Sequence, residues 1–336
     1  MERVSDYDYD LPEELIAQTP LADRAASRLL HLSRVNGEIA HRTFRDAVDL
    51  LRPGDLLVMN ETRVSAVRLN GQKKTGGAVE ALLLHELSDG TYAAMLRSNR
   101  RMSDGTRIVF EGGLEASVVG SEGPSLQVRF DAVPGLRARL EESGRAPLPP
   151  YIRTPLADRE RYQTVYGRVE GSAAAPTAGL HFTREILTAL AERGVGTARV
   201  TLHVGTDTFQ PVRAEDPATH LMNGEMCTVP EETAERVARA SGRIIAVGTT
   251  TVRTLESFAI GRRRVAAGEM CSKLYIRPGF SFQVVDGMFT NFHMPRTTML
   301  MMISALAGRD AVLRAYMAAV ENRYRFLSFG DSMLIL

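Results

Sequence analysis

Residues 78–130, AVEALLLHELSDGTYAAMLRSNRRMSDGTRIVFEGGLEASVVGSEGPSLQVRF, decide the fold. Short alternating runs (AVEALLL, YAAMLR, TRIVF, EASVV, LQVRF) are separated by Asp89-Gly90, Asp104-Gly105, Gly112-Gly113 and Glu122-Gly123. Alternation with period two gives each run one apolar and one polar face, and paired turn residues fold consecutive runs back on each other. Helical spacing is nearly absent. The segment therefore predicts a compact antiparallel unit, most simply a small barrel, because closure removes edge strands that would otherwise pair with other chains.

Upstream, the same texture reaches back to Ser65, with Asn70-Gly71 and Gly76-Gly77 read as further turns. Downstream, Gly135 to Gly144 reads as one short helix, and PLPPY at Pro147 to Tyr151 closes the unit, since its prolines cannot continue a helix. On both flanks helix and strand patterns alternate instead. On the N-terminal side lie a short helix over Pro12 to Gln18 and a hairpin about Asn36-Gly37. A helix over Phe44 to Leu51 and a buried strand over Asp55 to Met59 follow. On the C-terminal side the pattern predicts helices over Thr183 to Arg193, Pro230 to Ser241 and Val252 to Phe258. Two more run from Thr297 or Thr298 to about Gly308 and from Asp310 to Arg323. Strands are predicted over Thr197 to Val204, Ile244 to Val247, Phe282 to Val285 and Met333 to Leu336. The expected architecture is one α/β domain built from both ends of the chain, with the barrel inserted into it.

The chain has 336 residues, 44% hydrophobic and 24% charged, which suits a two-domain globular protein. The formal net charge is +1, so any polyanion must be held by a local patch. Clusters at Lys73-Lys74, at Arg97 with Arg100 and Arg101, and at Arg262 to Arg264 are candidates, each of which also suits a solvated surface. Cys227 and Cys271 make no CxxC pair, no apolar run spans a membrane, and the acidic start lacks a signal peptide's features. A cytoplasmic protein without membrane contact is expected.

Six segments carry polar residues with glycine and proline beyond what packing needs. AAAPTAGLHF at Ala173 to Phe182 offers a loop with Pro176, Thr177 and Gly179 before a helix, and His181 at its entry. HVGTDTF at His203 to Phe209 ends a strand, with Gly205 and Asp207 in the loop. Ligands gather at strand carboxyl ends, and histidine and carboxylate there suit acid–base work. HLMNGE at His220 to Glu225 holds a histidine and a glutamate but lacks the spacing of a metal site. GTTTVRTLE at Gly248 to Glu256 joins a strand to a helix start, an anion seat with Thr249, Thr250 and Arg253 nearby. It lacks the lysine of a P-loop, and no GxGxxG occurs. TNFHMP at Thr290 to Pro295 and YRFLSFGDS at Tyr324 to Ser332 mix aromatic and polar residues, with the phenylalanines expected in the core. The Met-rich run Met299 to Leu306 reads as a buried helix rather than a ligand pocket.

Together with GDLLVMNETRV at Gly54 to Val64, PLPPYI at Pro147 to Ile152 and RYQTVYG at Arg161 to Gly167, these segments resemble the S-adenosylmethionine:tRNA ribosyltransferase-isomerase family over nearly the whole chain. The resemblance implies an α/β/α layered domain, residues 1–62 and 151–336, interrupted by a closed antiparallel barrel of about six strands, residues 63–150. It implies transfer and isomerisation of the ribosyl moiety of S-adenosylmethionine onto 7-aminomethyl-7-deazaguanine at the wobble position of tRNA. The products are epoxyqueuosine-tRNA, adenine and methionine. S-adenosylmethionine is consumed as a substrate, and neither a prosthetic group nor a metal is expected. A monomer is expected. The resemblance points to His181, His203, His293, Glu225 and Asp331 as catalytic residues. Pro176, Thr177, Gly179, Gly205, Thr249, Thr250, Arg253, Asn291, Phe292, Arg325 and Phe329 are the expected substrate contacts, with Arg325 and Asp331 facing the nucleobase. Arg100 and Arg101 are the expected RNA contacts.

Several positions depart from the family pattern. Asn223 stands where the second histidine of H-x-M-H-x-E is usual, HVGTDTF replaces HVGAGTF, Ser65 to Leu69 lacks a proline, and Arg296 replaces a lysine. Asn223 raises the alternative of a catalytically impaired tRNA-binding relative. If the barrel holds RNA through Arg100 and Arg101, their replacement by alanine weakens tRNA binding at low salt. It also reduces the slope of log affinity against log salt by about 1 for each phosphate that is no longer neutralised. Unchanged affinity in a salt titration places the RNA elsewhere.

Overall fold

The structure is a computed structural model that describes residues 2–87, 89–122, 125–205, 212 and 214–336. In chain order the strands are β1 (Arg28–Leu32), β2 (Ile39–Thr43), β3 (Leu56–Asn60), β4 (Thr62–Val64), β5 (Val67–Lys73) and β6 (Ala78–Glu86). Then come β7 (Tyr92–Ser98), β8 (Arg107–Phe110), β9 (Glu115–Glu122), β10 (Ser125–Phe130), β11 (Val169–Ser172) and β12 (Gly196–Leu202). The last are β13 (Glu225–Val229), β14 (Ile244–Val247), β15 (Ala259–Gly261), β16 (Arg264–Val265), β17 (Gly268–Ser272), β18 (Gly287–Asn291) and β19 (Ser332–Ile335). The helices are α1 (Ala47–Leu50), α2 (Leu136–Ser143), α3 (Arg184–Glu192), α4 (Glu231–Arg239), α5 (Thr249–Ser257), α6 (Thr298–Ala307) and α7 (Arg309–Glu321).

Among the described residues, nine strands form one mixed sheet in the order β17-β13-β12-β3-β14-β18-β19-β1-β2. The central run from β12 through β3 and β14 to β18 is parallel. Every residue of β3 and β14 is buried, the pattern of strands covered on both faces. Their side chains divide by parity. Leu56, Val58, Ile244 and Ala246 pack with Val237 of α4, Val252 and Leu255 of α5, Leu300 of α6 and Val312 of α7. Leu57, Met59, Ile245 and Val247 pack on the other face with Ile186 and Leu190 of α3 and Ala47 of α1. An α/β/α layering follows from that alternation.

The barrel closes in the order β10-β7-β6-β5-β8-β9. Its interior is filled by one side-chain set, including Leu69, Ala81, Ala94, Ile108, Ala116 and Val128, with Leu140 of α2 joining it. The inserted barrel and the α/β layers both match the sequence reading. Three local expectations fail. Asn70-Gly71 lies inside β5 and makes no turn. Gly71 is there for clearance, since a Cβ would meet the Val109 carbonyl oxygen at 2.6 Å. Pro12 to Gln18 keeps only a single 3₁₀ turn over Glu13–Leu15. Phe282 to Val285 forms no strand, because β18 begins later, at Gly287.

The third failure has a clear cause. The Glu256 carboxylate at the end of α5 accepts the backbone N–H groups of Gln283 (2.9 Å), Val284 (3.0 Å) and Val285 (2.9 Å). A side chain takes the donors that a sheet ladder would use. Glu256→Ala leaves these groups unpaired and is expected to lower stability by about 2–4 kcal/mol, read as a drop in the urea midpoint at unchanged m-value. A shift within about 0.5 kcal/mol means the carboxylate is dispensable.

Candidate active site

Loops that follow the parallel strands and the ends of two helices meet the barrel in one cleft. It encloses about 1080 Å³. The barrel contributes Leu84 and His85 of β6, Met95 of β7 and Ser125 of β10. The α/β domain contributes His203 and Gly205 after β12, the run 219–226 leading into β13, Thr249, Thr250 and Arg253 of α5, and Thr298, Met299 and Met302 of α6. A narrow arm of about 50 Å³ continues past Val204, Thr249, Thr250 and Met299 to Pro176, Thr177, Asn291, Phe292, His293, Leu327 and Ser328.

The polar groups are held by short connections. Arg253 and Glu225, both buried, form an ion pair. The second Glu225 oxygen accepts the Gly205 N–H at 2.8 Å, and Arg253 Nη2 donates to the Ser272 carbonyl at 3.3 Å. The Arg253 Nε has no partner among the described residues. A desolvated guanidinium with one unused donor, lining a cleft, is suited to an anionic ligand group. Thr249 and Thr250 open α5 directly after Gly248, whose φ of +88° is the left-handed backbone that lets the strand turn sharply into the helix. The start of that helix, which carries the positive end of its dipole, borders the cleft. Thr297 caps α6 by accepting the Leu300 N–H, so a second helix start borders the same space.

The histidines have different surroundings. His203 lines the cleft, its Nδ1 2.8 Å from Thr62 Oγ1. Burial, with a smaller contribution from His85, lowers its pKa below the ordinary histidine value, so the ring is neutral at pH 7. His293 lies in the narrow arm, its Nε2 2.7 Å from Thr290 Oγ1, and burial pushes its pKa down to about 3. His181 is held at both nitrogens, by Ser27 Oγ at 2.7 Å and Asn291 Nδ2 at 3.2 Å, and stacks on Phe44. Burial and then Arg24 and Arg325 push its pKa down to about 3.

The expected site residues therefore separate into groups. His203, Gly205, Glu225, Thr249, Thr250 and Arg253 line the main cleft. Pro176, Thr177, Asn291, Phe292 and His293 line its arm, with Thr177 donating to Asn291 Oδ1 at 3.0 Å. His181 and Phe329 instead border a third, smaller hollow with Arg24, Ser27 and Arg161. Gly179 is buried under Tyr166, where a Cβ would meet the phenol oxygen at 2.0 Å. Asp331 accepts the backbone N–H groups of Arg28 (2.9 Å) and Arg325 (2.8 Å), fixing the last loop before β19. Arg325 donates to the Thr19 carbonyl. Neither lines the cleft. Arg100 and Arg101 are exposed on the barrel between β7 and β8. Asp207 lies outside the described residues. Arg263 pairs with Asp286 at 2.7 Å, so this member of the Arg262 to Arg264 run has a structural partner.

Sequence reasoning missed His85, Thr62, Asn60 and the cleft-lining side of the Met-rich helix. Met299 and Met302 line the cleft, and Met302 also packs in the core with Leu300, Met301 and Ile303, so α6 is a buried helix that also borders the ligand space. Thr297, already legible as a cap, marks the end that reaches the cleft. Asn223 lines the cleft two residues before Glu225. The described residues contain no group of three or more His, Cys, Asp or Glu side chains able to hold a metal ion. No helix among them is long and apolar enough to cross a membrane.

A family profile described as queuosine biosynthesis protein matches residues 4–335. The chain belongs to that family. A relative from Symbiobacterium thermophilum, an S-adenosylmethionine:tRNA ribosyltransferase-isomerase, is 51% identical across 99% of this chain and all of its own. One of the same name from Anaeromyxobacter sp. is 52% identical across 99% of both chains. The crystal structure of S-adenosylmethionine tRNA ribosyltransferase from Thermotoga maritima is 36% identical with a TM-score of 0.57, covering 99% of this chain and all of that one.

The two deeply buried histidines generate a test of acid stability. Each is neutral in the fold down to about pH 3, whereas the unfolded chain protonates below about 6.5. Between those limits the unfolded state binds more protons, so this stabilisation is present above about pH 6.5 and is lost as pH falls toward 3. The slope is about 1.4 kcal/mol per pH unit for each ring. Urea unfolding between pH 7.5 and 5 should show the loss, and His181→Gln should remove about half of it. A flat profile in the wild-type protein contradicts the assignment.

Proposed function

We infer that this chain uses S-adenosylmethionine as a ribosyl donor. It transfers and isomerises that group onto 7-aminomethyl-7-deazaguanine at the tRNA wobble position, giving epoxyqueuosine-tRNA and releasing adenine and methionine. The observation that carries this reading is end-to-end similarity: residues 4–335 match the queuosine biosynthesis family, and a relative named for this activity is 51% identical over 99% of the chain. The cleft is consistent with it. A volume of about 1080 Å³ is ample for an adenosyl sulfonium and leaves room for a base delivered from RNA.

The reaction sets three requirements. The sulfonium acidifies the neighbouring C5′ hydrogens, and a base must remove one. Adenine leaves readily only when a ring nitrogen is protonated. The aminomethyl group of the RNA attacks only as the neutral amine. Each step moves a proton, and the intervening species are diverted by water. His203, neutral at pH 7 because of its burial, is suited to accept a proton in the cleft. Arg253, with its unused Nε and its place on α5 beside Thr249 and Thr250, is suited to hold the methionyl carboxylate. Glu225 holds the guanidinium in place and so acts through it. Met95, Met222, Met226, Met299 and Met302 supply a polarizable, largely apolar wall for the adenosyl and thioether parts.

In this reading residues 63–150 form the barrel domain and close the cleft against a catalytic domain of residues 1–62 and 151–336. His293, Asn291 and Phe292 serve the narrow arm. His181 serves behind Asn291, to which it is bonded, Phe329 serves beside it in the smaller hollow, and Asp331 and Arg325 serve in the last loop before β19. The protein acts as a monomer in the cytoplasm, where its two substrates meet. Incubation with S-adenosylmethionine and an anticodon stem-loop carrying 7-aminomethyl-7-deazaguanine should release adenine stoichiometrically with the modified base. A folded sample that releases none contradicts the reading. Arg253→Lys keeps the charge beside Glu225 but loses the fork, and should raise KM for S-adenosylmethionine about tenfold or more. An unchanged KM moves the carboxylate elsewhere.

A further inference from the structure

We propose that Thr62 is a positioning residue for the reaction: it fixes His203 as the Nδ1–H tautomer, so that the Nε2 lone pair is the one presented to the cleft. The inference rests on the reading of His203 as a proton acceptor and adds the residue that sets it. Thr62 belongs to β4, the short strand between the central sheet and the barrel, and is fully buried. Its hydroxyl has one proton, and the Val169 carbonyl lies 3.4 Å away to receive it. A lone pair then remains for the His203 Nδ1–H at 2.8 Å. In a neutral imidazole only one nitrogen carries the proton, so a donating Nδ1 makes Nε2 the base. Nε2 has no hydrogen-bond partner among the described residues, and His203 lines the cleft.

Two further contacts fix the ring and its partner. Gly171 lies flat against the imidazole: a Cβ there would stand 2.9 Å from Cε1 and 3.0 Å from Nε2, at a φ of +136° that only glycine adopts readily. Asn60 Oδ1 accepts the Thr62 N–H at 3.1 Å and the Leu202 N–H at 3.0 Å. Thr62 and the residue before His203 therefore hang from one buried amide. Orientation of this kind is set before substrate arrives, which is where the rate gain lies.

The test uses the full-length protein and compares Thr62→Val, nearly the same shape without the hydroxyl, with Thr62→Ser, which keeps it. Thr62→Val should lower kcat for adenine release about tenfold or more while KM for S-adenosylmethionine stays within about twofold. Thr62→Ser should recover most of the loss. Nitrogen-15 chemical shifts of His203 should show Nδ1–H in the wild-type protein and a tautomer mixture in Thr62→Val, whether or not turnover is measured. A wild-type ring protonated on Nε2, or full kcat in Thr62→Val, overturns the proposal. His203→Gln with full activity, beside an intact Nδ1–H signal in the wild type, instead removes the assumed role of His203.

Discussion

One buried amide holds together the parts from which the cleft is made. Asn60, fully enclosed at the carboxyl end of β3, donates to the Leu202 carbonyl at 3.0 Å and to Thr250 Oγ1 at 3.1 Å. Its oxygen accepts the Leu202 and Thr62 N–H groups. Four hydrogen bonds leave it fully satisfied, which is the condition for a polar side chain to be worth burying. They join β3, β12, the start of α5 and the segment that departs for the barrel. His203, Gly205, Thr249, Thr250 and Arg253 all lie within a few residues of those junctions. The cleft lies where parallel strands end and helices begin, the position at which an α/β sheet naturally offers loops and helix starts to a ligand.

The inserted barrel makes this edge into an enclosure. An open sheet end would leave the cleft exposed to water on one side, and the proposed reaction needs water excluded. The barrel supplies Leu84, His85, Met95 and Ser125 to that side. His85 reaches it with the help of a register shift in the β6–β7 ladder between Leu83 and His85, the kind of bulge that re-aims a side chain. The barrel core is separate from the sheet cores, so the two units keep their own packing while sharing one hollow.

Much of this was legible in the sequence because it rests on local rules. Period-two alternation and paired turn residues marked the barrel, and caps such as Thr183 and Thr297 accept the N–H groups that helix starts leave unpaired. Gly248 followed by threonines marked the strand-to-helix turn that became the start of α5. What stayed hidden depends on distant partners. Glu256 cancelled a strand by taking three N–H groups 27–29 residues away. Gly71 looked like a turn and was a clearance, visible only once Val109 lay opposite. Thr62 and His203 are 141 residues apart, and nothing in either neighbourhood announces the pair. The motif segments themselves were divided between two hollows. His181 and Phe329 went to the smaller one, since Asn291 stands between His181 and the cleft arm.

The central claim is that S-adenosylmethionine occupies the space between the barrel and the carboxyl edge of the sheet. Hydrogen–deuterium exchange of the full-length protein, with and without saturating S-adenosylmethionine, addresses it directly. The account predicts new protection over residues 203–205, 222–226, 249–253 and 298–302. Protection confined to residues 20–27, 161–163 and 328–330, around the smaller hollow, would contradict it.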